Sequence, residues 1–268
     1  MKDSYLLCAG ILILLLLVAV AVCAPALAPH NPIRQDLDQD LITYSHAHPL
    51  GTDKLGRDVL SRTVYGSRIS LLVGITTVAF ALAIGIALGA LAGFAGGWLD
   101  HLLMRVVDVL LAFPGILLAI GFTAVLGPGL HHVILALSLI GWTGYARLVR
   151  GEILTLRERE FIHAAHALGC KPIRIVVVHL LPNLLAPLLI QAIFGLAGAI
   201  IAEGSLSFLG LGVEPPTPSW GSMLNEGRQF ILIAPHLTTY PGLAIMITVL
   251  SLNLIGDGLQ DRLDAHSR

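Results

Sequence analysis

TLREREFIHAAHALGCKPIRIVVVHLLPN, residues 155–183, is the one stretch of this chain that reads as an amphipathic, soluble-type unit, and it is set between long apolar runs. Thr155 and Glu158 have the spacing of a capping box, in which each side chain satisfies an orphan backbone N–H at a helix start. The spacing predicts a helix from Thr155, with Phe161, Ala164, Ala165 and Leu168 at i, i+3, i+4 and i+7 as an apolar stripe. Glu158, Arg159, His163 and His166 lie largely off that stripe. Gly169 can take the left-handed conformation that ends a helix without a Cβ clash. Pro172 suits the first position of a second helix, where its missing N–H is no loss. Ile173, Val176, Val177 and Leu180 repeat the spacing, and Pro182 is expected to close the unit. A bent pair of short helices, each with an apolar face, reads as a docking element.

Around this unit the composition is that of a membrane protein. Of 268 residues, 56% are hydrophobic and 12% charged, and the mean hydropathy is +0.84, well outside the soluble globular range. Lys and Arg number 16 against 17 Asp and Glu, so no basic footprint for nucleic acid exists. Cys8, Cys23 and Cys170 match no zinc or disulfide spacing.

Apolar runs of the ~17–25 residues that cross a bilayer divide the chain into about six spans. Leu6–Val22 is too long for the ~7–15-residue core of a signal peptide and reads as a retained first span. Pro25–Ser67 turns polar and lies outside the membrane. Within it Gly51 and Gly56 have the spacing of a phosphate loop, but Arg57-Asp58 stands where Lys and Ser/Thr must bind phosphate and magnesium. Ile69–Phe94 is the second span, where Gly85, Gly89, Gly93 and Gly97 recur every fourth residue as a seam for close helix packing. His101–Ala124 is the third, with Arg105 and Asp108 spaced to pair and Pro114 expected to kink it or to be tolerated by a neighbour's side chain. Gly127-Pro128-Gly129 turns the chain into the fourth span, Val133–Ala146. Leu184–Ala202 and Tyr240–Ile255 are the fifth and sixth. Trp142 and Trp220 are expected at membrane–water interfaces. His46/His48 and His131/His132 lack converging carboxylates in the sequence, so neither a metal nor a catalytic role is assigned. The basic cluster Arg147, Arg150, Arg157, Arg159, Lys171 and Arg174 places the docking loop, and with it both termini, in the cytoplasm.

The pattern E-F-x-x-A-A-x-x-x-G followed by an apolar run and L-P-N resembles the "EAA" loop of permease subunits of bacterial binding-protein-dependent ABC importers. The Glu of that motif falls on His163 here, so no carboxylate carries over to that position. Three more stretches resemble the dipeptide, oligopeptide and nickel branch: GTDKLGRDVLSR (51–62), SLSFLGLGVEPPTPSWGSML (205–224) and NLIGDGLQDRLD (253–264). The resemblance implies an all-α polytopic fold of the type I importer kind with a cytoplasmic coupling helix pair. It implies a first helix and extracytoplasmic segment (1–66), a permease core (67–257) and a cytoplasmic tail (258–268). It assigns ATPase coupling to Glu160, Phe161, Ala164, Ala165, Leu168, Gly169 and Ile173. Its implied partners are a second homologous permease subunit, two ATPase subunits and an extracytoplasmic solute-binding protein, in the lipid of a bacterial inner membrane, with no cofactor. Its cargo would be di- or oligopeptides, with nickel, another small chelate or an opine as alternatives. The chain has no Walker lysine and no H-E-x-x-H, so fuel must come from another polypeptide. A secondary transporter would instead need ion-coupling groups near the midplane, and an intramembrane enzyme would need its histidines to converge.

Overall fold

The computed structural model describes residues 2–266, and among them the chain is built of helices, with one isolated bridge between Thr52 and Asp58. The helices are α1 (Lys2–Val22), α2 (Ala24–Leu27), α3 (Val59–Ala95), α4 (Gly97–Leu111), α5 (Gly115–Leu126), α6 (Leu130–Leu156), α7 (Glu160–Ala167), α8 (Pro172–Arg174), α9 (Leu181–Phe208), α10 (Trp220–Gly227) and α11 (His236–His266). Among the described residues five helices are long and apolar enough to cross a membrane, and α4 with α5 makes a sixth if that bent pair counts as one span. α1 lies along α11, α9 packs against both α11 and α3, and α3 runs along α6. At ~1.5 Å per residue the 37 residues of α3 extend well beyond a hydrocarbon layer of ~30 Å. Its first turns therefore belong to the polar segment that precedes them.

The α3–α6 contact follows from missing side chains. A Cβ on Gly85 would lie 2.4 Å from Tyr145 Cβ, one on Gly89 2.5 Å from the Ala146 carbonyl, and one on Gly93 3.0 Å from Ile153 Cβ. Gly97 does not belong to this seam: it starts α4 with φ +62°, and nothing would meet its Cβ. Its fourfold spacing is lost because α3 has already ended at Ala95. Gly89→Leu is expected to cost at least about 1–3 kcal/mol through overpacking. It should lower the thermal unfolding temperature in detergent, whereas Gly121→Leu, where a Cβ meets open space, should not.

Four further expectations are corrected. His101–Ala124 is not one continuous helix: at Pro114, the expected kink, α4 and α5 meet at 86°, because Pro114 has no N–H for the ladder and disfavours helical geometry in Phe113. Thr155 starts no helix; its hydroxyl donates to the Gly151 carbonyl inside α6, which runs on because Ile153 is fully buried. Pro182 ends nothing, since the apolar helix is continuous from Pro172 to Phe208. The chain widens to a π-helical turn over Ile175–Leu180, with the Leu181 N–H reaching back to the Val176 carbonyl, and Pro182 then sits in the first turn of α9. Trp142 and Trp220 are buried within the bundle, where the Trp220 Nε1–H donates to the Thr63 carbonyl at 3.0 Å.

Candidate functional site

α7 projects from the end of the bundle where α6 stops and the α9 helix begins. Eight residues are too few to hold a helix alone, so its order comes from packing. Ile162 and Ala165 are buried in a cluster with Val149, Ile153, Ile175, Leu180 and Leu184. Glu160 stands in the first turn, where the helix dipole favours a negative charge. The far end closes as a Schellman motif: the Gly169 N–H bonds the His166 carbonyl at 2.9 Å and the Cys170 N–H bonds the Ala165 carbonyl at 3.1 Å. Gly169 carries the φ of +74° that this motif requires. Pro172 then opens the next helical run at its first turn.

This geometry splits the predicted stripe. Ala165 faces inward, while Phe161, Ala164 and Leu168 face out, with Leu168 84% and Ile173 68% exposed. Glu160, Phe161, Ala164, Leu168, Gly169 and Ile173 therefore lie together on one exposed elbow, rimmed by the exposed Arg157, Arg159, Lys171 and Arg174. Two ion pairs tie α4 to α6 next to it. Asp100 accepts both Arg150 Nε and Nη2, at 2.5 and 2.6 Å, in a fork-to-fork pair. Asp108 pairs with Arg147 at 2.6 Å rather than with Arg105, its expected neighbour in sequence. Between α3, α5, α6 and α9 lies an open cleft of about 300 Å³ lined by residues including Thr77, Gly141, Tyr145 and Gln191.

At the other end, the stretch around residues 51–62 forms a buckle. Gly56 (φ +68°) lets its backbone press against Asp36, and a Cβ there would fall 1.6 Å from the Asp36 carbonyl oxygen. Asp53 accepts the Leu55 and Arg57 N–H groups and Arg57 Nε. Arg57 and Arg62 both reach Glu226 on α10, at 2.5 and 3.0 Å. Asp58 caps α3 through the Ser61 N–H at 2.7 Å. Glu203, wholly buried on α9, accepts from Ser70 and Ser207 and so joins α9 to α3. Ser207 lies one turn on from Glu203 in α9, but Ser70 and the arginines of Glu226 stand more than 130 residues away and nothing in the local sequence announces them. The histidine reading is also corrected: His48 Nδ1 lies 2.8 Å from Asp58 Oδ1.

Comparison with known proteins puts this bundle of membrane-length helices and its exposed elbow in the class of ABC importer permease subunits. Its fold aligns with a chain of an inward-facing methionine ABC transporter at a TM-score of 0.61 and 23% identity, covering 77% of this chain and 96% of that one. The chain belongs to the binding-protein-dependent transport system inner membrane component family, which it matches over residues 85–268. Residues 4–49 match the N-terminal transmembrane domain of oligopeptide transport permease C. It is 44% identical over 264 residues to the dipeptide transport system permease protein of Alkalihalophilus pseudofirmus, covering 98% of this chain and 87% of that one. It is equally 44% identical over 266 residues to the glutathione transport system permease protein of Pectobacterium atrosepticum, covering 98% and 88%. This chain is thus a multi-pass inner-membrane transport subunit and not an enzyme.

Proposed function

We propose that the chain moves short peptides into the cell by alternating access, beside a second permease subunit, with two ATPases gripping its elbow and a binding protein delivering solute. Support for the cargo comes from the near-complete match to relatives named for dipeptides and for glutathione, itself a tripeptide. The elbow supports the drive: an apolar tip of Phe161, Leu168 and Ile173 with a basic rim suits burial in a partner's cleft. Because α7 packs on the π-helical turn at Ile175–Leu180 and the turn at Gly169 leads into that same helical run, which continues as α9, a push on the tip is carried into the spans. The cleft at Gln191 and Tyr145 then forms one wall of the solute path. The basic rim supports a cytoplasmic elbow, and with about six spans both termini then lie on the same side.

Deleting the chain from its host should abolish uptake of a labelled dipeptide, with unlabelled glutathione testing how broad the peptide class is. Unchanged dipeptide uptake would overturn the cargo assignment. Gly169→Val tests the elbow separately. A β-branched residue at φ +74° carries strain on the order of 1–3 kcal/mol, and a bias of ~1.4 kcal/mol is tenfold in population. Uptake should fall about tenfold at normal membrane levels, and Gly169→Asn, which tolerates the left-handed region, should keep most of it.

A further inference from the structure

His30, His48 and Asp58 meet where the chain leaving α2 passes the start of α3, each offering one ligand atom, all within 4.8 Å of one another. Asp58 is buried, and its Oδ2 receives both the N–H and the hydroxyl of Ser61 at 2.7 Å. Its Oδ1 points at the imidazoles, 2.8 Å from His48 Nδ1 and 3.8 Å from His30 Nδ1. The two rings face each other with centroids 4.5 Å apart and planes inclined by 32°. Both backbones are pinned: the His30 N–H donates to Ser61 Oγ at 3.1 Å, and the His48 N–H to Ser45 Oγ at 2.9 Å.

His48 is satisfied by Asp58, but His30 Nδ1 is buried without a hydrogen-bond partner among the described residues. A stranded buried acceptor or donor costs about 1–3 kcal/mol. Protonating both rings would set two cations face to face over one carboxylate. A divalent cation removes both difficulties, since it engages both imidazoles in neutral form and the carboxylate in its charged form.

The dimensions fit. Zinc bonds nitrogen and carboxylate oxygen at about 2.0–2.2 Å, which sets tetrahedral donors roughly 3.3–3.5 Å apart. Two of the three donor separations, 2.8 and 3.8 Å, bracket that value and the third lies within 4.8 Å, so side-chain rotations of the two imidazoles admit the ion. Ser61 holds the carboxylate from behind, as the partners of a metal ligand do. Beside His30 lies an open cleft lined by Pro25, Ala28, Asn31 and Tyr65, which supplies an entry path and room for a water as fourth ligand.

We propose that His30, His48 and Asp58 bind a divalent transition-metal cation of the zinc type, and that the ion fastens the loop between α2 and α3 to the first turn of α3. Nitrogen-rich ligation selects zinc or nickel over magnesium or calcium. The bound ion would close a loop of chain spanning residues 30–58 and stiffen the polar segment that Arg57 and Arg62 join to α10.

The test uses the full-length chain, purified in detergent without a polyhistidine tag and stripped with a chelator that is then removed. Zinc chloride is titrated by calorimetry into the unaltered protein and into His30→Ala, His48→Ala and Asp58→Asn. His30→Ala leaves the backbone bond to Ser61 in place, and Asp58→Asn keeps a side chain able to cap α3, so both remain folded. One equivalent of zinc should bind the unaltered chain, and affinity should fall by about 100-fold or more in each variant. Zinc should raise the unfolding temperature of the unaltered chain alone. Absence of stoichiometric zinc binding, or full affinity retained by any folded variant, would overturn the site.

Discussion

Glu226→Ala is expected to destabilise the chain by about 3–5 kcal/mol, the range for removing one partner from a buried ion pair. Glu226 Oε2 receives Arg57 Nη2 and Arg62 Nη2, whose side chains are each 2% exposed. Asp53 remains for Arg57 at 2.6 Å but stands 3.5 Å from Arg62, whose Nη1 already has no hydrogen-bond partner among the described residues. Truncation therefore leaves a buried guanidinium short of countercharge, and it unfastens α10 from the buckle. Thermal unfolding of the purified chain in detergent measures the loss. Glu226→Gln, which still accepts a hydrogen bond but carries no charge, should lose less. A Glu226→Ala protein within about 0.5 kcal/mol of the parent, the scatter of ordinary surface changes, would show that the arginines find other partners.

Leu168→Asp should behave in the opposite way, harmless to folding and severe for transport. The side chain is 84% exposed, so the isolated chain loses no packing. Seated in an ATPase cleft, the new carboxylate would be desolvated without a partner. Hot-spot losses at interfaces are about 2 kcal/mol or more, which corresponds to roughly a thirtyfold weaker grip. Peptide uptake should fall accordingly, and co-purification of the ATPase with it, while the amount of chain in the membrane stays constant. Leu168→Met keeps an apolar tip of similar volume and should preserve both. Full uptake by Leu168→Asp at normal abundance would remove the elbow from the coupling path. The metal site is independent of this outcome, because it is read out by binding at the opposite end of the chain.

The class of this protein was legible in the sequence because its strongest signals are local. Hydropathy marks each span, since burying a run of apolar side chains in lipid needs no knowledge of neighbours. The Gly169 turn and the Pro172 start are equally local: φ +74° at Gly169 and the missing N–H of proline are properties of single residues. Gly85, Gly89 and Gly93 announce a close approach, although not that its partners are Tyr145, Ala146 and Ile153. Where a local cue competed with packing, packing won. The capping pair Thr155 and Glu158 yielded to the burial of Ile153 in α6, and Pro182 yielded to a helix that widened its turn and continued into the bilayer. Asp108 bonds Arg147 across helices, Glu226 clamps arginines 169 and 164 residues away, and His48 meets Asp58 only because the buckle folds back. Residue type and spacing along one helix or loop marked the membrane spans and the elbow, and the resemblance of four stretches to a known family supplied the class. The partners of Glu226, Asp108 and His48 were left to the tertiary structure, because such a group bonds whichever partner the fold brings within about 3 Å, however distant in the chain.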